Sequence, residues 1–359
     1  MWLENFSFYP INIPFINAIK VGQETIEKKQ SIYLKLTFSN KKSGIGEVSL
    51  LPGLIKLSIQ EAEEEIKSFL TPLIKKKLNH LKEPINESQL STLFFNKLPK
   101  PQQKLSSPIV FALESAILTW NKVTFPKNFE GLFPEVKESF SIPVNDLLYP
   151  KDCKFDLKAS AFKIKIGRFD KNNKEKEISF IKTVAKKLRQ KNQFPKRIRL
   201  DGNKSFTPIA LQNYINRFDT DTIKQIEYLE EPLKDINQWN EFYKTNKIGL
   251  GLDESILNLK KKAFSLPMGV EALILKPSQI GGISKFFFFS NWGLKRKIKI
   301  VVSSTFESSL GLFTLSILAS KQKNTPSGLN TYKFLEEKDP LYSFETLNGK
   351  MIIKKNLTR

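Results

Sequence analysis

Ala161-Phe162-Lys163-Ile164-Lys165-Ile166-Gly167 alternates apolar and basic side chains with a period of two, which predicts a strand with two unlike faces. Phe162, Ile164 and Ile166 share one face, and Lys163 and Lys165 share the other. Two neighbouring ammonium groups disfavour each other's charge and burial adds to the effect, so one lysine of an inward pair can serve as a base. Taken alone, the segment also fits a solvated edge strand in a lysine-rich chain. The residues that follow it decide between the two readings.

From Ser141 onward, short apolar runs alternate with amphipathic segments. Ile142–Val144, Phe162–Ile166, Ile198–Leu200, Ile226–Leu229, Gly249–Leu252, Ala272–Leu275 and Ile298–Val302 read as strands. Helical patterns lie between them at 174–190, 208–217, 238–245, 257–264 and 284–294, with another at 310–320 after the last strand. This repetition implies a parallel sheet covered by helices. Seven strands and an eighth position near Gly328 predict a closed barrel rather than an open doubly wound sheet. No Gly-x-Gly-x-x-Gly follows the first strand, which weakens a dinucleotide-binding reading.

The amino-terminal region has a different texture. Residues 32–38 and 45–48 flank a turn at 40–44 and predict a hairpin; Leu50-Leu51-Pro52-Gly53 reads as an exposed apolar loop ending in a breaker. Ser58 and Glu61 form a capping-box pair for a helix, residues 83–105 read as loops, and 108–120 as an apolar helix. The tail at 342–353 alternates again and predicts strands returning to the first domain. Phe286–Phe289 is too apolar to be solvated all round and predicts a packed helix. Gly281-Gly282 reads as a tight turn rather than an anion seat.

The 359 residues carry a net charge of +22, 29 phenylalanines and 40% hydrophobic residues, enough for a large core. The lysines are spread along the whole chain, so clusters such as Lys75–Lys77 and Lys260–Lys262 read as solvated faces and nucleic-acid binding is not expected. The charge suits a small anionic substrate. No apolar stretch predicts a membrane span or a secretory leader. The single cysteine, Cys153, fits a reducing compartment, the cytoplasm. The single histidine, His80, reads as a surface residue and leaves no histidine-based chemistry; a homo-oligomer is left open.

In a parallel barrel, function gathers at the carboxyl ends of the strands. Those positions hold Lys163 and Lys165, Asp201 with Asn203, Glu230 in Leu-Glu-Glu-Pro, Asp253 in Leu-Asp-Glu-Ser, Lys276 before Pro277, and Ser303-Ser304. Three carboxylates on successive strand ends call for a cation, and an all-oxygen set suits Mg²⁺, with Mn²⁺ as the alternative. A lysine on either side could exchange protons with a bound substrate.

The ordered set Lys-x-Lys, Asp-x-Asn, Glu-Glu-Pro, Asp-Glu-Ser and Lys-Pro resembles the muconate-lactonizing-like subgroup of the enolase superfamily, over nearly the whole chain. The resemblance implies an α/β fold: a (β/α)7β TIM-like barrel (121–334) with an α+β capping domain (1–120, joined by the tail 335–359). It implies Asp201, Glu230 and Asp253 as Mg²⁺ ligands and Lys165 as acid/base. Lys163 tunes and positions beside it, Lys276 faces the substrate's other side, and Glu254 and Arg199 support the site from behind. Within the subgroup the chain looks most like the o-succinylbenzoate synthase family, through Gly44-Ile-Gly-Glu-Val-Ser-Leu-Leu-Pro-Gly53 and Ser303-Ser-Thr-Phe-Glu-Ser-Ser-Leu-Gly311. That implies dehydration of a hydroxycyclohexadiene carboxylate in menaquinone biosynthesis. Ser303, Ser304, Asn203 and the Gly328-Leu329 backbone would contact the substrate, with Leu51 and Gly53 closing over it. An N-succinylamino-acid racemase, a dipeptide epimerase and a muconate cycloisomerase are the alternatives. The epimerases' acidic pair at the eighth strand has no counterpart in Ser327-Gly-Leu-Asn-Thr331.

Overall fold

The computed structural model describes residues 1–21, 24–78, 105–124, 139–149, 155, 157–167, 171–190, 198–258, 266–322, 325–338, 340 and 342–355. His80, Cys153, Lys260–Lys262, nearly all of the loops at 83–105 and the end of the helix expected at 257–264 lie outside these residues; Glu254–Asn258 forms a 3₁₀ turn.

Seven strands form one parallel sheet in the spatial order of the sequence: β5 (Asn145–Leu148), β6 (Ala161–Lys165), β7 (Ile198–Asp201), β8 (Ile226–Glu230), β9 (Leu250–Leu252), β10 (Val270–Leu275) and β11 (Lys299–Val302). Ser327 and Gly328 close the ring. Val144 bridges Ser327 and Ser303 bridges Gly328, both parallel, and the Gly328 N–H donates to the Val302 carbonyl at 2.8 Å while Asn145 N–H donates to Ser327 at 2.9 Å. The eighth position of the barrel is thus two residues long. Phe162, Ile164 and Ile166 are fully buried in the layer between sheet and helices, which leaves Lys163 and Lys165 to face inward.

Antiparallel strands β1 (Leu3–Val21), β2 (Glu24–Phe38) and β3 (Ser43–Leu50) make the amino-terminal sheet. The expected hairpin is β2–β3. Helix α1 (Ile59–Leu70) follows, capped by the reciprocal Ser58–Glu61 pair, and α2 (Ser107–Thr124) packs on the sheet. Leu50 and Leu51 are both 2% exposed, so the leucines of the loop read as exposed are buried in cores, while Pro52 is partly exposed and Gly53 exposed. Leu51 joins Ile13, Phe15, Ile26 and Leu335 in a satellite cluster.

Two boundaries differ from expectation. Ile142 belongs to β4 (Ser139–Pro143), and the first barrel strand starts at Asn145. The tail strands β12 (Tyr342–Leu347) and β13 (Lys350–Lys355) pair with β4 in a separate three-stranded sheet. The tail meets the amino-terminal sheet where Leu335 bridges Phe15, Glu336 N–H donates to Pro14, and the Tyr33 hydroxyl donates to Glu337 at 3.0 Å. The barrel's outer helices are α3 (Lys171–Gln190), α4 (Pro208–Ile215), α5 (Thr220–Gln225), α6 (Trp239–Asn246), α7 (Pro277–Ile280), α8 (Ile283–Leu294) and α9 (Ser309–Ser320). In α8, Phe286, Phe287 and Phe289 are buried and Phe288 is half exposed. Among the described residues no helix is long and apolar enough to cross a membrane.

Candidate active site

The register of the sheet sets the site. Lys165 pairs with Asp201 and Asp201 with Glu230 across β6, β7 and β8, so strand-end residues fall into one layer. One layer deeper, Lys163 pairs with Arg199 and Arg199 with Tyr228. Asp201, Glu230 and Asp253 are 2%, 1% and 4% exposed. Burying three carboxylates together is costly unless cations accompany them. Here lysines do so: the Lys163 ammonium lies 3.0 Å from Asp201 Oδ2 and donates to Glu230 Oε1 at 2.8 Å. Lys165 Nζ stands 3.9 Å from Asp201 Oδ2 and 3.3 Å from Asn203 Oδ1, while Lys276 pairs with Asp253. Strands β6 and β10 are four positions apart in a ring of eight, so Lys276 faces the lysine pair across the barrel.

The electrostatics follow from this crowding. Burial opposes charge on Lys163, but Asp201, Glu230 and Asp253 outweigh it and raise its pKa well above the usual lysine range. The sequence argument that adjacent lysines discharge each other therefore does not hold for Lys163; the carboxylates beside it dominate. Lys276 is likewise raised, by Asp253 against burial and Lys163. Burial pushes Asp201 up but Lys163 and Lys165 hold it below the usual carboxylate range. Glu230 is pushed up to about 8 by burial, with Asp201 and Asp253 adding to it against Lys163.

Among the described residues no three acidic, histidine or cysteine side chains converge closely enough to hold a metal ion as they stand. The donor chemistry nevertheless fits a hard divalent cation. Three buried carboxylates end adjacent strands, and an ammonium group already bridges two of them at 2.8 and 3.0 Å. Asp201, Glu230 and Asp253 are the residues that would hold Mg²⁺.

The supporting residues are placed as follows. Asn203, at φ 42°, donates its side-chain amide to Asp201 Oδ1 at 2.7 Å, joining Lys165 to Asp201. Arg199 is fully buried inside the barrel, donating to Glu227 at 2.8 Å and to the Pro326 carbonyl at 2.7 Å. Glu254 turns outward beside Lys204, with a side chain 41% exposed. The carboxylate that braces Asp253 is Glu231, which accepts from the N–H groups of Asp253 and Ser255, both at 2.9 Å, and from the Ser255 hydroxyl at 2.6 Å. Its position next to Glu230 was the only sequence signal for that role. Ser303 and Ser304 lie at the end of β11 beside Gly328, where a Cβ would stand 2.8 Å from Ser303 Oγ. Leu329 is fully buried in the main core. Leu51 packs in the cluster that Phe306 borders, and Gly53 turns at φ 75° beside Val21.

No family model matches the chain. The chain is 23% identical to o-succinylbenzoate synthase of Pasteurella multocida over 339 residues, which covers 93% of this chain and 91% of the relative. It is 22% identical to the enzyme of that name from Haemophilus influenzae over 336 residues, with the same coverage. Among solved structures, MenC from Desulfotalea psychrophila superimposes with a TM-score of 0.74 at 19% identity, covering 98% of this chain and 99% of that one. The L-Ala-D/L-Glu epimerase from Bacillus subtilis gives 0.73 at 17%, covering 99% and 97%, and a muconate lactonizing enzyme 0.72 at 16%, covering 99% and 95%. The chain shares the fold of these solved structures, a barrel with a separate capping sheet.

Proposed function

We propose that this chain is a dehydratase of the o-succinylbenzoate synthase type. It converts 2-succinyl-6-hydroxy-2,4-cyclohexadiene-1-carboxylate to 2-succinylbenzoate and water, in the cytoplasm and with Mg²⁺, as a step of menaquinone biosynthesis. The observation that carries the reading is the placement of Lys165 and Lys276 on opposite sides of three buried strand-end carboxylates; the named relatives that match along the chain's length support the choice of substrate.

When bound, Mg²⁺ supplies Lewis-acid stabilisation for the negative charge that develops on the substrate carboxylate. Asp201, Glu230 and Asp253 hold that end of the site. Lys165 takes the proton from the ring carbon that bears the carboxylate and returns it to the departing hydroxyl on the same face. Proton and hydroxyl leave together as water, and the ring becomes aromatic. Lys276 remains an ammonium, stabilised by Asp253, and offers positive charge to the opposite face. Lys163 fixes Asp201 and Glu230 relative to each other. Ser303 and Ser304 receive the succinyl carboxylate in this reading.

The test is turnover of the hydroxycyclohexadiene by metal-stripped protein, with and without Mg²⁺, beside Lys165→Ala. Metal-dependent aromatisation that is lost in the variant supports the reading. Metal-dependent α-proton exchange on N-succinylamino acids without dehydration would move the function to a racemase, and inactivity in both assays overturns it.

A further inference from the structure

Gly44-Ile45-Gly46-Glu47 is a motif for which the proposed chemistry has no use. Gly44 and Gly46 press β3 against the backbone of α2: a Cβ on them would lie 1.7 Å from the Ala116 carbonyl oxygen and 2.0 Å from that of Ala112. With no side chain between them, strand and helix form one stiff layer. Each contributes one buried carboxylate to the barrel.

Glu47, from β3, reaches the start of α9. It accepts from the N–H groups of Ser308 and Gly311, both at 3.0 Å, and from the Ser308 hydroxyl at 2.6 Å. Its charge is matched by Lys29, and both side chains are fully buried. Glu114, from α2, reaches the start of α8, where it accepts from the N–H groups of Ile283 and Ser284 and from the Ser284 hydroxyl. Carboxylates at these helix ends satisfy N–H groups that have no partner within the helix and interact favourably with the helix dipole. Both are seated against glycine. A Cβ at Gly311 would stand 2.5 Å from Glu47 Oε2, and one at Gly282, where φ is +97°, 2.2 Å from Glu114 Oε2. The turn read at Gly281-Gly282 therefore also seats a carboxyl group, and the group is the chain's own.

These two helices matter for where they begin. α8 follows the short helix α7, whose N-cap is Lys276, and α9 follows Ser303-Ser304. We propose that Glu47 and Glu114 are positioning residues, a two-point clamp by which the β3–α2 layer holds the Lys276 and Ser303-Ser304 segments in register over the carboxylates. The assignment rests on reading those segments as part of the active site.

Hydrogen exchange in wild type, Glu114→Ala and Glu114→Gln tests it, read in peptides spanning 276–290 and 303–313 with 198–230 as the control. Glu114→Ala is expected to speed exchange about tenfold in 276–290 and leave the control unchanged, with kcat falling about tenfold to a hundredfold from displacement of Lys276. Glu114→Gln, which keeps acceptor and shape, is expected to restore both. Unchanged exchange at 276–290, or a rise equal to that of the control, overturns the clamp. Should Glu114→Ala be recovered unfolded, Ser284→Ala removes one donor to the same carboxylate, and the same local-against-uniform comparison decides. If wild type shows no turnover, the synthase reading fails while the exchange data still answer for the clamp.

Discussion

Replacing Glu114 by Gln removes a buried charge without removing its hydrogen bonds. Oε2 accepts from Ile283 and Ser284 N–H, while Oε1 accepts from the Ser284 hydroxyl. An amide nitrogen at the Oε1 position can donate one of its two N–H groups to that same hydroxyl, so Gln keeps a hydrogen bond to Ser284. Burial pushes the Glu114 pKa from 4.5 up to about 7, against the lowering effect of Ser284, Ile283 and Lys285. The folded chain therefore binds this proton more tightly than the unfolded chain. The resulting stability is fully present below about pH 4.5 and is lost as the pH rises through about 7. At 1.36 kcal/mol per unit the loss is about 3 kcal/mol. With an unfolding entropy of roughly 2 cal/mol/K per residue, that is about 4 °C in Tm for a chain of this length. Calorimetry of both proteins from pH 5 to pH 8 should show the variant gaining about this much on wild type. The difference between the proteins isolates Glu114 from every other titrating group. Parallel curves would refute the assignment of a charge-burial penalty to this residue.

Glu231→Ala removes the brace on Asp253 and is expected to weaken Mg²⁺ binding by about tenfold to a hundredfold; calorimetric titration giving wild-type affinity would count against the proposed ligand set. Lys29→Met leaves Glu47 as an uncompensated buried charge and is expected to cost about 3–5 kcal/mol in urea unfolding, and a loss below about 1 kcal/mol would show that the helix end alone holds that carboxylate.

Strands β6 to β11 were legible because each presents apolar residues to its outer face, in a run or in alternation, with a polar residue at or just past its end. β5 was not legible. Asn145 points inward to Arg199 at 3.3 Å and Asp146 outward to Lys333 at 2.7 Å, so neither face starts apolar, and the preceding Ile142–Val144 drew the reading three residues too early. The lysines and carboxylates of the site stood out by their order along the chain. Glu114 and Lys29 did not. A lone Glu in an apolar helix and a Lys in the polar run Glu27–Gln30 look solvated, and the partners that bury Glu114 lie some 170 positions away. Glu254 looked the better support for Asp253 because it is adjacent in sequence, whereas the positive φ of Glu231 (40°) turns that side chain beneath the next strand end.

The two-residue eighth position gives the barrel a late keystone. A chain made from its amino terminus has finished β5 through β11 before Ser327 and Gly328 exist, so until then the sheet has two bare edges. Their backbone groups are a template for pairing with another copy. Truncation between residues 303 and 326 should accordingly yield aggregates rather than a smaller soluble domain. Newly made chains depend on how soon the last few dozen residues follow.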